Sequence, residues 1–473
     1  MKKILLLLPV CFFSYCVTAQ FTSNLSDAVQ LVDKWLEAQQ AYDHIPGLSV
    51  AVVKDQQVIW SKGYGTSDAN KKISTSPTTI YGICSVSKLF TSIAIMQLYE
   101  AGKLRLDDSV TSLLPGFNIQ QQFKESGPLT VRSLLTHSSG LPRESDYPYW
   151  SGPDFKFPSR QQIDEKLLLQ QTRYPASTYF QYSNLGMTIL GEIVEKVSGK
   201  SYEAYVEENI LKPLQLTNTL AHLPKALWGN KMAIGFSSIK KDGSRESLAL
   251  YDANGIKPAA GFSSTVEDLA LFASWQFRLL KNGGKEILQL STLKEMQRVQ
   301  WIDPDWKTTW GLGFAVWQDN GKTLVGHGGD CPGYRTMLLM EPKEKMAYVV
   351  MANAMVDVSM YTNQVRNIIN KARDENPFAS GNTELSVYAG NYDTQPWNSE
   401  SIIVPWYGKL AVIDLPSNDP LDGIHFFKRV KDDTFQRVRS DNTLGEELVF
   451  TKDKITGKVI NFTWDSNTFK KTK

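Results

Sequence analysis

Ser85 and Lys88 place a hydroxyl and an amine three residues apart, directly ahead of an apolar run over residues 89–99 that predicts a buried helix. Residues i and i+3 of a helix lie on one face, so Oγ of Ser85 and Nζ of Lys88 can meet. A serine in the first helical turn also lies beside free backbone N–H groups, which favour a developing oxyanion. The pair therefore offers a nucleophile next to a potential base, the minimum arrangement for covalent acyl transfer.

Three other serines have a lysine at the same spacing, but their surroundings favour other roles. Ser237 and Ser238 run into the segment 241–244, Lys-Asp-Gly-Ser, which predicts a solvated turn. Ser291 is expected to cap a polar amphipathic helix, because serine is a preferred N-cap residue. Only Ser85 lies beside a helix that is apolar on nearly every face, where a lysine can be desolvated.

Tyr182 and Asn184 lie two residues apart, between a polar aromatic stretch and a predicted helix over 185–197. In an extended or looped backbone, residues i and i+2 point the same way, so the phenol and the amide can enter one pocket. Tyr361 and Asn363 have the same spacing, but they lie inside a helical pattern, where such side chains diverge. We therefore retain only the first pair as a candidate.

A third candidate segment, His327-Gly328-Gly329-Asp330, follows a strand-like run over residues 322–325. Two glycines after a strand permit the backbone to approach a ligand closely and leave an N–H group free to point at it. The chain thus contains a hydroxyl–amine pair, a phenol–amide pair and a glycine-containing strand, in that order.

These three segments, in this order, resemble the serine β-lactamase and penicillin-binding-protein superfamily, on its class C, esterase and D-peptidase side. The resemblance covers roughly residues 45–370 and includes more than the three short motifs. Further segments that look like family segments are 45–52, 134–141, 258–264 and 310–313. The structural context predicted for each motif agrees with its place in the family.

The resemblance implies a role for each candidate residue. Ser85 corresponds to the family nucleophile, and Lys88 to the amine that helps to deprotonate it, which requires a lowered pKa. Tyr182 corresponds to a second proton carrier; which of the two takes the first proton stays open, because the pair titrates as a unit. Asn184 corresponds to the amide that orients Lys88 and the substrate carbonyl. The oxyanion hole is expected to consist of the backbone N–H groups of Ser85 and Asp330.

The third motif departs from the usual pattern. Most β-lactamases and many transpeptidases carry Lys-Thr/Ser-Gly here, where the lysine and hydroxyl bind a carboxylate. This chain has His327, Gly328 and Gly329 as its candidate substrate-binding residues. Histidine, with a reference pKa near ~6.5, is only partly charged at neutral pH, and Gly328 has no side chain. We therefore expect weak carboxylate capture, and an ester or amide of a small acyl or D-amino acid group fits better than a β-lactam.

Other residues near these motifs have simpler interpretations. His137 is interpreted as a hydrogen-bonded loop organiser. Arg335 either meets an anionic substrate group or has an ordinary surface role. The aromatic stretch 147–157 forms either a cleft wall or a packed loop. Cys84 and Cys331 flank the first and third motifs, which the family fold makes neighbours; a disulfide is conceivable, but two buried free thiols are the favoured interpretation.

The N-terminus predicts export. Residues 1–19 have a charged start, a short apolar core and small residues before Gln20, which is typical of a secretory signal peptide cleaved after Ala19. We expect a periplasmic or secreted protein with no integral membrane segment in the mature chain. Removal of Lys2 and Lys3 leaves 49 basic against 49 acidic residues, and no basic stripe indicates nucleic acid. The expected partner is a small-molecule or peptide substrate. We expect no metal and no cofactor, and the sequence does not indicate the oligomeric state.

The predicted fold is α+β, with residues 20–375 as the hydrolase domain. An amphipathic helix over 27–42 precedes a hairpin, 48–53 with 58–63, and helices dominate to about residue 210. Later strands are predicted at 311–317, 322–326, 335–341 and 345–353, with a closing helix at 360–372. This pattern predicts an antiparallel sheet flanked by helices, plus an all-helical lobe, with the site at their junction.

Residues 376–473 predict a small antiparallel β domain. Short β-type runs alternate there with turn clusters, which is typical of a barrel or sandwich. Tyr388-Ala389-Gly390-Asn391-Tyr392 resembles the opening of the lipocalin-like domain often appended to these hydrolases. A stabilising appendage is the favoured interpretation of this domain, and gating of the cleft is the alternative.

Three functions remain open at this point. The leading hypothesis is a secreted serine hydrolase that cleaves an ester or amide bond through a Ser85 acyl-enzyme. The alternative enzyme is a penicillin-binding DD-carboxypeptidase or β-lactamase. The third is a non-catalytic envelope binding protein on the same scaffold.

Overall fold

The computed structural model describes residues 25–68, 70–375 and 383–473. The predicted signal peptide, residues 1–19, lies outside the described residues, as do residues 376–382 at the predicted start of the second domain. The α-helices of the described residues are α1 (Ser26–Tyr42), α2 (Ser87–Glu100), α3 (Val110–Leu113), α4 (Val131–Leu135), α5 (Arg160–Leu167), α6 (Asn184–Ser198), α7 (Tyr202–Val206), α8 (Lys257–Ala260), α9 (Val266–Asn282), α10 (Leu290–Met296) and α11 (Val358–Glu375).

The strands are β1 (Gly47–Lys54), β2 (Gln57–Asp68), β3 (Ile73–Ser74), β4 (Tyr81–Gly82), β5 (Ser263–Ser264), β6 (Trp301–Ile302), β7 (Thr309–Trp310), β8 (Ala315–Asp319), β9 (Lys322–Cys331), β10 (Tyr334–Glu341), β11 (Met346–Ala352), β12 (Gly390–Asp393), β13 (Glu400–Trp406), β14 (Lys409–Leu415), β15 (His425–Lys431), β16 (Thr434–Val438), β17 (Leu444–Lys452), β18 (Val459–Trp464) and β19 (Asn467–Lys471). Short 3₁₀ turns cover Cys84–Val86, Lys225–Leu227, Asn254–Ile256 and Thr383–Tyr388, and a π-helical turn covers Glu207–Leu211.

The main sheet has nine strands in the order β3-β2-β1-β11-β10-β9-β8-β7-β6, and its pairs are antiparallel. Every residue of β1 except the last is buried, because both faces of the sheet are covered. Successive side chains of a strand point to opposite faces. Val50 and Val52 therefore join the core under α1 and α11, while Ala51 and Val53 join the core shared with the helical lobe.

Two local predictions differ from the structure. The predicted strand 311–317 is instead a hairpin between β7 and β8, because Gly313 adopts φ +80°, a left-handed value that turns the chain. Ser291 does not cap its helix: α10 begins at Leu290, with Gln289 at the N-cap position.

The C-terminal domain is a closed eight-stranded barrel, β12 to β19. Aromatic and aliphatic side chains such as Tyr392, Ile403 and Phe450 fill its interior. Neighbouring residues of β13, among them Trp406, face outward and pack on α1 and α11. The predicted α+β architecture with a following all-β domain is thus confirmed. Within the described residues, none of the helices combines the length and apolar character needed to cross a membrane.

Candidate active site

Ser85 lies in the 3₁₀ turn Cys84–Val86, which runs directly into α2. Cys84 has φ +53°, which is rare for a residue other than glycine and gives the turn its sharp entry. Ser87 stabilises this turn, because its hydroxyl donates to the Cys84 carbonyl and accepts from the Phe262 N–H at 3.0 Å. The nucleophile candidate is thus fixed by backbone geometry at the helix N-terminus, as the sequence predicts.

Lys88 is fully buried, and its Nζ has three oxygen atoms within hydrogen-bond distance. These are Oγ of Ser85 at 3.0 Å, Oδ1 of Asn184 at 2.8 Å and the Ala259 carbonyl at 2.7 Å. Burial lowers the pKa of Lys88 well below its usual range. A neutral amine donates to the two oxygen atoms that can only accept, which leaves its lone pair for the Ser85 hydroxyl.

Tyr182 also lies close to Ser85, whose side chain interacts with the phenol and lowers its pKa. Lys88 Nζ lies 4.8 Å from the centre of the Tyr182 ring, and the Arg143 guanidinium carbon lies 4.9 Å from it. Burial raises the pKa of Tyr182, and the interaction with Ser85 opposes this rise. Burial therefore favours a protonated phenol beside a neutral amine.

Asn184 is the first residue of α6, and Ser183 is the N-cap, accepting from the Gly186 N–H at 2.9 Å. The Asn184 side chain bridges two groups. Its Oδ1 accepts from Lys88, and its Nδ2 donates to Oε1 of Glu144 at 2.7 Å. The structure thus brings together the four residues predicted as catalytic.

His327, Gly329 and Cys331 alternate along β9 and face the helical lobe, where His327 contacts the rings of Tyr182 and Trp310. Burial and the nearby Lys88 lower the pKa of His327 to about 3. Its Nδ1 lies 2.6 Å from the Gly328 carbonyl oxygen, a contact that opposes the shift. The imidazole is therefore neutral at physiological pH and offers no charge to a carboxylate.

Cys84 and Cys331 form a disulfide, so the expectation of two free thiols is wrong. The physical reason is proximity: β9 packs directly against the turn that carries Ser85, and the two Cα atoms lie 5.6 Å apart. The bridged residues directly adjoin Ser85 and Asp330, the two predicted oxyanion-hole positions. Both of those residues line the same cleft.

The cleft has a volume of about 620 Å³, and both polar groups such as Ser85 and Tyr182 and apolar side chains line it. Its lining residues are Ser85, Arg143, Trp150, Phe155, Tyr182, Asn184, Ser237, Ser238, Leu248, His327, Gly328, Asp330, Cys331, Pro332 and Met355. Trp150 and Phe155 show that part of the aromatic stretch is a cleft wall, while Phe157 packs against Tyr251 behind it. All of these lining residues precede the barrel.

The sequence interpretation missed several residues that line this cleft or contact its lining residues. Arg143 and Glu144 follow Gly140-Leu141-Pro142, a segment adjoining a family-like stretch, and a polar pair at that place was the available signal. Ser237 and Ser238, interpreted as part of a solvated turn, line the cleft because Phe236 pairs with Ser247. No local pattern in the sequence indicates that long-range placement.

Two residues with open interpretations have clear partners. His137 accepts from the Ser183 N–H through Nδ1 at 3.2 Å, and its carbonyl accepts from the Gln181 N–H at 2.7 Å. It therefore organises the loop that carries Tyr182, as predicted. Arg335 pairs with Asp330 at 2.6 Å, directly across the β9–β10 ladder. In the residues that the structure describes, no group of three or more His, Cys, Asp or Glu is placed to hold a metal ion.

Comparisons with known proteins show which family this chain belongs to. "Protein flp" of Staphylococcus aureus strain N315 is 29% identical over 337 residues, which are 70% of this chain and 64% of that protein. The chain therefore spans less than two thirds of the length of that relative. The octameric penicillin-binding protein homologue from Pyrococcus abyssi has a TM-score of 0.62 at 23% identity, covering 93% of this chain and 99% of that one.

A second solved structure, EstCE1, described as a hydrolase with promiscuous acyltransferase activity, has a TM-score of 0.61 at 22% identity. It covers 72% of this chain, and 98% of its own chain is matched. At these identities the two structures show the fold. The model of the family described as Beta-lactamase matches residues 32–371, well over half of the sequence. The resemblance inferred from the motifs is confirmed, and the chain belongs to the Beta-lactamase family.

Proposed function

We propose that this protein is a secreted or periplasmic serine hydrolase that cleaves an uncharged ester or amide through a Ser85 acyl-enzyme. The observation that carries the proposal is the buried Lys88 amine, 3.0 Å from the Ser85 hydroxyl and held by two further oxygen atoms. Desolvation favours the neutral form of an amine, and a neutral amine in that position can accept the proton of the serine hydroxyl.

The proposed reaction has two stages, acylation of Ser85 and hydrolysis of the acyl-enzyme. The Ser85 proton passes to Lys88 as Oγ forms a bond to the substrate carbonyl carbon, and the backbone N–H groups of Ser85 and Asp330 stabilise the oxyanion. The bond from the carbonyl carbon to the leaving oxygen or nitrogen then breaks, and that atom takes the proton from the Lys88–Tyr182 pair, so that an alcohol or amine departs. Water next attacks the acyl carbon and gives a proton to the same pair; the bond to Oγ breaks, Oγ takes that proton back, and the acid is released. The neutral amine and protonated phenol support Lys88 as the acceptor of the first proton.

The charges around the cleft support an uncharged substrate. Asp330 is paired with Arg335, and Arg143 lies 3.3 Å from Glu144. His327 is neutral at physiological pH, because burial lowers its pKa to about 3. The apolar part of the cleft lining consists of side chains such as Trp150, Phe155, Leu248 and Met355. Small-acyl esters fit this combination, as do amides of D-amino acids that have apolar side chains and an acylated, uncharged amino group.

The test is labelling with a fluorophosphonate, followed by a substrate panel. Wild type should label and Ser85→Ala should not. The panel contains short-chain aryl esters, D- and L-amino acid anilides and D-Ala-D-Ala peptides, each assayed on both proteins. Activity that persists in Ser85→Ala would show that the measured chemistry comes from elsewhere.

Two other functions give different results in the same experiment. Stoichiometric labelling by a fluorescent penicillin, or rapid turnover of a chromogenic cephalosporin, would favour a penicillin-binding DD-carboxypeptidase or β-lactamase. A folded wild-type protein that takes up no probe would favour a non-catalytic binding protein.

A further inference from the structure

Glu144 stands directly behind the Asn184 amide, in the loop that precedes the aromatic cleft wall. The loop is bound to the start of α6, because the Arg143 carbonyl accepts from the Asn184 N–H at 2.8 Å and the Pro142 carbonyl accepts from the Ser183 hydroxyl at 2.7 Å. The Glu144 side chain is 19% exposed. Any displacement of this loop is therefore transmitted to Asn184.

The Glu144 carboxylate fixes which way the Asn184 amide points. An ionised carboxylate only accepts hydrogen bonds, so the amide must turn Nδ2 toward Oε1 of Glu144, at 2.7 Å, and Oδ1 toward Lys88. The opposite orientation would set the amide oxygen against the carboxylate and the NH₂ group against the amine. Tyr149 donates its phenol to the other oxygen of Glu144 and holds the carboxylate in place.

Glu144 also supplies a negative charge that raises the pKa of the buried Lys88 amine. The titratable and charged groups that face Lys88 come from four segments: His137 from the loop after α4, Arg143 and Glu144 from the loop before the aromatic wall, Tyr182 from the loop before α6, and His327 from β9. Burial lowers the pKa of both histidines, so they are neutral. Two opposed charges remain: Glu144 favours the protonated amine and Arg143 disfavours it.

We propose that Glu144 is a positioning residue of this site, which orients the Asn184 amide toward Lys88 and whose negative charge sets the pH at which the Lys88–Tyr182 pair becomes an active base. This inference rests on the proposed hydrolase function. Glu144 shifts the pH profile in the same direction whichever member of the pair takes the first proton, because Glu144 raises the pKa of both Lys88 and Tyr182. Asp330 also raises the pKa of Tyr182, so the test leaves Asp330 unchanged.

The experiment measures the second-order rate of fluorophosphonate labelling between pH 5 and 10. In Glu144→Gln, a side-chain oxygen can still accept from the Asn184 amide, but the negative charge is lost. The pH at which the labelling rate rises on the acid side of the profile should therefore fall by about one unit, which is the effect expected of one nearby charge on a pKa. Glu144→Asp keeps the charge and should restore this pH to near its wild-type value. Glu144→Ala also frees the amide, and its plateau rate should fall by about 10²-fold.

Glu192→Gln is the matched control, because Glu192 lies on α6, is 17% exposed and pairs with Arg160, much as Glu144 pairs with Arg143. Its profile should superpose on wild type. Thermal melting confirms that each variant is folded. A folded Glu144→Gln protein whose labelling rate rises at the same pH as that of wild type overturns the inference about Glu144 alone. A wild-type protein that does not label overturns the hydrolase proposal and this inference with it.

Discussion

Gly329 lies directly against the backbone of Ile83: a Cβ atom at position 329 would lie 2.2 Å from the Ile83 carbonyl oxygen. The contact joins β9 to the turn that carries Ser85. Gly329→Ala must therefore push the strand away from Ser85, the proposed nucleophile. We expect it to lower the labelling rate at least ~10-fold and to destabilise the fold by about 1–3 kcal/mol. Gly328→Ala is the control for folding, since its nearest new neighbour would be Met337 Sδ at 3.7 Å. Equal melting temperatures for the two variants would contradict this account.

Replacement of Lys88 should change how stability depends on pH. Burial depresses the pKa of Lys88 in the folded state, whereas the unfolded value is near ~10.4. Between these two values the unfolded state binds the additional proton, so wild-type stability rises with pH across that window. We expect the free energy of unfolding of wild type to rise relative to Lys88→Met between pH 7 and 10, with a slope of up to about 1.4 kcal/mol per pH unit. Urea titrations at several pH values measure this difference, and a constant difference would show that Lys88 is charged when folded.

The Cys84–Cys331 disulfide should support both stability and the oxyanion hole. It closes a loop with a sequence separation of 247 residues. The double variant Cys84→Ser/Cys331→Ser should lose about 2–5 kcal/mol of stability. It should also label more slowly, because Ser85 and Asp330, whose N–H groups are the proposed oxyanion donors, adjoin the two bridged residues. In a chain expressed from Gln20, thiol titration after denaturation should find no free thiol without reductant and two with it. Two free thiols in the untreated protein would contradict the bridge.

The apolar side chains that line the cleft should set acyl-chain preference. Phe155 lines the cleft, and Phe157, two residues later, packs against Trp150 and Tyr251 outside it. Phe155→Ala should lower kcat/KM for hexanoyl esters about 10-fold relative to acetyl esters, because each buried CH₂ contributes roughly 0.8 kcal/mol. Phe157→Ala should lower the melting temperature without changing this ratio. If both variants leave the ratio unchanged, the acyl group binds elsewhere.

The barrel should stabilise the hydrolase domain without acting on the cleft. Trp406 is 1% exposed and packs in the core formed with α1 and α11. Trp406→Ala should cost about 3–5 kcal/mol of stability. At a temperature well below its melting point, its labelling rate should equal that of wild type. A reduced rate in the folded variant would instead support the gating role.

The motifs that have a local sequence signature were predictable, and the structure brings their side chains together around Lys88. Ser85 and Lys88 needed only helical spacing and an apolar helix behind them. Tyr182 and Asn184 needed only the boundary between a loop and a helix. Their convergence with His327 came from the family resemblance, because no local pattern states which strand packs against which turn.

The missed features depend on contacts between distant segments. Glu144 touches Asn184 across 40 positions of sequence, and an acidic residue in a loop is indistinguishable by itself from a solvated one. For Cys84 and Cys331 the sequence favours two buried free thiols over a bridge, because it does not indicate how closely the two residues approach each other. Only the packing of Gly329 on Ile83, which brings both sulfur atoms to one point, decides between them.

The barrel docks on the α1–α11 layer, and Lys473, just beyond its last strand, pairs with Glu37 of α1 at 2.6 Å. Position 473 therefore lies across the full thickness of the sheet from Ser85. A tether or fluorescent fusion joined there would hold the protein on a solid support with its cleft turned to the solution. Immobilised preparations made in this way should turn over substrate as fast as the free protein.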